Sequence, residues 1–119
     1  SNNGFKCAVY NHVCKESLRY GAGRLLSSSY PCSNGNCVLY GHRDSSFKTI
    51  ENIKIQDTIK VTTKDESVNY TVYDAFITEP HDPKILKTTK NKELTLVTCY
   101  PFYFVGPAPK RYVIRAHAL

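Results

Sequence analysis

Nowhere does the chain of 119 residues hold a run of about 18 apolar residues of the kind a membrane-crossing helix requires. Its opening Ser1-Asn2-Asn3-Gly4 is neither a signal peptide nor a membrane span, so this form is expected to be soluble. A basic stripe is missing as well. Sixteen basic against ten acidic residues give +6, but they are scattered, which favours acidic surfaces such as anionic headgroups or wall polymers and argues against a nucleic-acid partner. The paired C-x2-C knuckles of structural zinc sites are absent. Cys32, Cys37 and His42 are ligand types at a looser spacing, with His12 and Cys14 upstream, so neither a metal nor another cofactor is expected. Hydrophobic content of 41% over this length fills one modest core, which implies a single domain over residues 1–119.

What is present centres on residues 94–115. Leu94-Thr95-Leu96-Val97-Thr98 reads as a buried strand that carries a thiol, Cys99, at its end. Pro101, Gly106, Pro107 and Pro109 then punctuate a loop, and Tyr112-Val113-Ile114 resumes a β-type run. Two strands joined by that loop place Cys99 and Arg111 at the same end of a sheet. A fixed positive charge beside a thiol favours the ionised, nucleophilic form.

The other cysteines, Cys7, Cys14, Cys32 and Cys37, all fall in the first third. An extracellular chain could pair them as two disulfides in any of three connectivities, and local Cys7–Cys14 and Cys32–Cys37 bridges are the first expectation. Buried, reduced, space-filling thiols are the alternative.

Earlier segments supply more β structure. Phe5 to Val13 alternates enough for a half-buried strand, which, starting so near the terminus, is expected to lack a partner. Residues 14–20 suit a short helix stopped by Gly21-Ala22-Gly23, and 27–36 read as an exposed loop held near Cys32 and Cys37. Cys37-Val38-Leu39-Tyr40-Gly41 is a short apolar strand that delivers His42 to a loop. Phe47, Ile50, Ile53 and Ile55 suit a helical turn on the core. Thr58–Thr63 and Val68–Thr78 form a hairpin across Lys64-Asp65-Glu66-Ser67, ended by Glu79-Pro80. Between His81 and Lys92 the chain is basic, with one apolar pair, Ile85-Leu86, in a single helical turn. His12, His81 and His117 read as solvated bystanders, and Arg115 as lying past the last strand. Repeated hairpins with little helix imply an all-β domain, closed or nearly closed so that its edges are removed.

Thr95-Leu96-Val97-Thr98-Cys99 resembles the TLxTC signature of sortases, the cysteine transpeptidases of bacterial cell surfaces. The continuation to Arg111, twelve residues after the cysteine, is similar to the class D branch, and Gly41-His42-Arg43-Asp44 resembles the segment that carries the sortase histidine. The resemblance implies an all-β, sortase-type barrel with short helices, lacking the opening N-terminal strand and the membrane anchor of a full-length protein at the outer membrane face. It implies a nucleophile at Cys99, a general acid and base at His42 and an oxyanion-stabilising cation at Arg111. Thr98, Ile85 and Leu86 are implied as substrate-binding residues. The implied reaction cleaves an LPxTG-like sorting signal after threonine through a thioester, then transfers the protein to an amine. The implied partners are surface proteins with a C-terminal sorting signal and an amine acceptor such as a cell-wall precursor peptide. A zinc-stabilised or catalytically silent barrel acting as a binding module is the alternative.

Overall fold

The computed structural model describes residues 8–10, 21–42, 50–100 and 108–118. The expected helix at 14–20, Cys7, His12, Cys14, Arg43 and Phe47 lie outside the described residues. Seven strands form one sheet: β1 (Ala8–Tyr10), β2 (Gly21–Arg24), β3 (Gly35–Tyr40), β4 (Thr58–Thr62), β5 (Ser67–Thr78), β6 (Lys92–Tyr100) and β7 (Lys110–His117). Their order across the sheet is β1-β2-β3-β6-β7-β5-β4, and it curls into a half-barrel, in line with the expected all-β barrel class.

Alternation in the sequence accounts for the faces. In β3, β6 and β7, Cys37, Leu39, Leu94, Leu96, Ile114 and Ala116 point to the main core, where Ile50, Ile53, Tyr70 and Val72 join them. The intervening Val38, Val97 and Val113 face the other way and are covered by Ile85. Because β6 is covered on both faces, residues 93–98 are all buried, the polar Glu93, Thr95 and Thr98 among them. The β4–β5 hairpin forms as expected, antiparallel from Thr58–Thr71 to Thr62–Ser67. Its turn is closed by the Thr63 N–H donating to the Glu66 carbonyl at 2.8 Å. Two 3-10 turns complete the described structure, one at Ile50–Asn52 and the other at Pro83–Leu86.

Three expectations fail for identifiable reasons. The first strand does have a partner, since β1 pairs in parallel with β2 from Ala8–Gly21 to Tyr10–Gly23. Gly21-Ala22-Gly23 correspondingly lies in buried strand. The Cys32–Cys37 disulfide does not form: both thiols are free and buried. Cys37 sits in mid-strand inside the core, and burial pushes its thiol up to about 12. Cys32 is held elsewhere, its N–H donating to the Tyr70 hydroxyl at 3.1 Å and its Sγ lying 3.5 Å from the Val61 carbonyl. Arg115, finally, is buried inside β7 and not past its end.

Candidate functional site

The strand order places β6 between β3 and β7, so whatever β6 carries at its end is flanked by the ends of both neighbours. On the β7 side, Cys99 is paired directly with Arg111 in the antiparallel register. Opposite residues of such a pair share a face, with Cβ atoms about 5 Å apart. The expected placement of thiol and guanidinium at one end of the sheet is therefore met. On the β3 side, the parallel register runs to Tyr40–Val97. Beyond it the Gly41 N–H donates to the Val97 carbonyl at 3.1 Å, and the Thr98 hydroxyl donates to the Gly41 carbonyl at 2.8 Å. His42 follows Gly41 directly, two residues past the end of β3. The ends of β6 and β7 thus present Cys99 and Arg111 side by side, and His42 follows the strand on the other flank of β6.

Local causes hold each group there. Thr98 is buried on the core face, so its hydroxyl is turned away from the Cys99 face and is used to fix the backbone that precedes His42. His42 itself is exposed and Cys99 half-buried. Arg111 anchors its own strand start, Nη1 donating to the Lys110 carbonyl at 2.9 Å and the Ala108 carbonyl at 3.3 Å. Those bonds employ one nitrogen of the guanidinium fork, which carries further donors on Nε and Nη2. One step down the same face lies the row Tyr40, Val97 and Val113. Burial raises the Tyr40 hydroxyl, and the nearby Arg111 charge partly offsets it.

Ile85 and Leu86, adjacent in sequence, part company in the structure. Ile85 is 2% exposed and packs with Val38, Val97 and Val113, whereas Leu86 is 50% exposed. Their 3-10 turn is capped by Asp82, whose carboxylate accepts from the Lys84 N–H at 2.9 Å and from the Thr78 hydroxyl. Those two bonds hold the Asp82 carboxyl below its usual range.

Beneath this turn is a buried polar array that sequence reasoning did not single out. The Asn36 side-chain amide donates to the carbonyls of Ile85 at 3.2 Å and Lys87 at 3.0 Å, and its oxygen accepts from the Thr95 hydroxyl at 2.7 Å. Arg115 donates to the carbonyls of Lys84 at 2.9 Å and Lys87 at 3.1 Å, and pairs with Glu93 at 2.8 Å. Burial alone would raise the Glu93 carboxyl. The Tyr73 hydroxyl and the Arg115 charge outweigh it, so the group is held below its usual range. A signal for this array was available: if Cys99 faces Arg111, counting back in twos brings Glu93 to the same face as Arg115.

The residues of the zinc alternative are not gathered. Cys32 and Cys37 are buried while His42 is exposed, and the described residues contain no group of three or more metal-ligating side chains. Among the described residues no helix is long and apolar enough to cross a membrane. A surface hollow lined by Asn34, Asn69, Asn91 and Lys92 lies at the far end of β6 from Cys99 and shares no residue with the edge described above.

A family model described as Sortase domain matches residues 2–119. Sortase D of Bacillus subtilis (strain 168) is 37% identical over 100 residues, spanning 83% of this chain and 50% of that protein. The chain thus spans about half the length of this curated relative. A Clostridium perfringens Sortase D5 transpeptidase superposes with a TM-score of 0.81 at 26% identity, covering 93% of this chain and 69% of that one. Sortase C1 of Streptococcus agalactiae gives 0.85 at 28% identity, covering 95% of this chain and 61% of that one.

Proposed function

Because the chain belongs to the sortase family, we propose that residues 1–119 form one catalytic domain that acts as a cysteine transpeptidase at the bacterial cell surface. The observation that supports this reading is the direct pairing of Cys99 with Arg111, with His42 two residues past the end of β3, the strand on the other side of β6. In the proposed reaction the Cys99 thiolate attacks the carbonyl carbon of the threonine in an LPxTG-like sorting signal. The C–S bond forms as negative charge moves to the carbonyl oxygen, where Arg111 stabilises it with donors that are always charged. His42, as imidazolium, gives a proton to the departing amine as the C–N bond breaks and a thioester remains. An incoming amine then attacks the thioester and loses a proton to His42, and the thiolate leaves. The acceptor is an amine such as that of a cell-wall precursor peptide, and water gives hydrolysis in its absence.

Leu86 offers an exposed apolar contact for the signal, Ile85 anchors that contact from below, and Thr98 keeps Gly41 and hence His42 against the cysteine strand. A fluorogenic LPxTG-type peptide tests the reading, with and without a glycine or diaminopimelate-type amine. Cys99→Ala is expected to abolish cleavage, and Arg111→Ala to lower kcat by about 100-fold or more with a smaller change in KM. His42→Ala should impair both half-reactions. Equal rates for the wild type and all three variants would refute the proposed chemistry.

A further inference from the structure

We propose that Asn36 and Arg115 are positioning residues for peptide binding, forming with Thr95 a buried tether that holds the 3-10 turn Pro83–Leu86 as one wall of the groove beside Cys99. The inference rests on the function proposed above. The turn belongs to the segment between β5 and β6, and it is fixed to the sheet by the packing of Ile85 and by hydrogen bonds to its carbonyls and to that of Lys87, its C-cap. Asn36 donates to two of them, Ile85 and Lys87, and Arg115 to two, Lys84 and Lys87, so the Lys87 oxygen receives both. The Asn36 backbone N–H adds a bond to the Thr88 hydroxyl at 3.3 Å.

Each donor is itself oriented. Thr95 holds the Asn36 amide by its oxygen, which leaves only the NH2 group facing the turn. Glu93 holds one end of the Arg115 guanidinium, and Tyr73 donates to that same carboxylate. Asn36, Thr95, Glu93 and Arg115 are all buried. Among the described residues the Arg115 Nε has no hydrogen-bond partner, so this array leaves a buried donor unsatisfied. A buried ion pair is a poor route to stability, since apolar replacements of similar volume are often neutral or better. What such an array does supply is one geometry for the segment it grips. The consequence lies next door: Ile85 is wedged beside Val97 and Val113, one row below Cys99 and Arg111, and Leu86 is left facing outward.

Arg115→Lys keeps the charge opposite Glu93 but lacks the planar fork needed to reach two carbonyls at once, and Asn36→Ala removes the other donor pair. Both variants are compared with wild type for cleavage of the LPxTG-type peptide, for modification of Cys99 by iodoacetamide, and for amide hydrogen exchange across residues 83–90. Each variant is expected to raise KM by about tenfold with kcat within about twofold, because the wall is misplaced while the reacting groups are not. Iodoacetamide needs no wall, so its rate at Cys99 should match wild type, and exchange across 83–90 should quicken while the β6–β7 ladder stays protected. Unchanged exchange in both variants would overturn the tether. An unchanged KM in an active enzyme would overturn its link to binding. A wild type that cleaves no peptide would instead overturn the proposed function and the groove with it, even where exchange still shows the tether.

Discussion

Both threonines of the Thr95–Cys99 run hold a neighbouring segment in place. Thr98 fixes the Gly41 carbonyl ahead of His42, and Thr95 orients Asn36 under the 3-10 turn. Replacing Thr98 by Val leaves that carbonyl without its hydroxyl partner, which should cost about 1–2 kcal/mol in urea unfolding and lower kcat, with Ser restoring both. The cysteines differ by environment in the same way. Cys99 is half-buried at a strand end, whereas Cys37 lies in the core with its thiol pushed up to about 12. Mapping of alkylated peptides under native conditions should therefore show Cys99 modified well before Cys37, and Cys37 modified only on unfolding. Early labelling of Cys37 would contradict its place in the core.

At the level of elements, the start of β3 is demanding. Gly35 has φ of +94° and donates its N–H to the Asn91 carbonyl at 2.9 Å, while a Cβ there would collide with the Ser29 side chain. Gly35→Ala is expected to cost about 1–3 kcal/mol, read as a lower urea midpoint at constant slope. Since Asn36 follows immediately, the same variant should loosen the 3-10 turn it grips, detectable by hydrogen exchange across 83–90. The loop before β3 is tied to the core by the Cys32 N–H on the Tyr70 hydroxyl. Tyr70→Phe should therefore destabilise the protein by about 1–2 kcal/mol by orphaning that N–H.

The whole molecule gathers its ionisable strain at both ends of the pH scale. Glu93 has a lowered folded-state value against an ordinary 4.5, so its contribution is complete above about 4.5 and is lost as pH falls through the folded value. The alkaline side has the opposite sign. Burial raises Cys37 from 9.0 and Tyr70 and Tyr73 from 10.0, each to about 12, so their stabilising contributions are present below 9 to 10 and fade as pH climbs toward 12. Thermal melts across pH should show a plateau between those limits, and Glu93→Gln should flatten the acid limb. An acid limb unchanged in that variant would place the titrating group elsewhere.

Local pattern alone determined a good deal of this protein. Period-two alternation located the β4–β5 hairpin, and the proline- and glycine-punctuated loop between two β-type runs was enough to put Cys99 and Arg111 at one end of a sheet. Such readings hold because the residues involved are close in sequence, or are joined by one turn. Only the tertiary structure decided that Ile85 turns inward and Leu86 outward, that Cys32 and Cys37 stay apart, that β1 finds a partner in β2, and that Arg115 is buried against Glu93. Each of those outcomes depends on which distant strand lies alongside and in what register, and a shift of one residue would reverse every face.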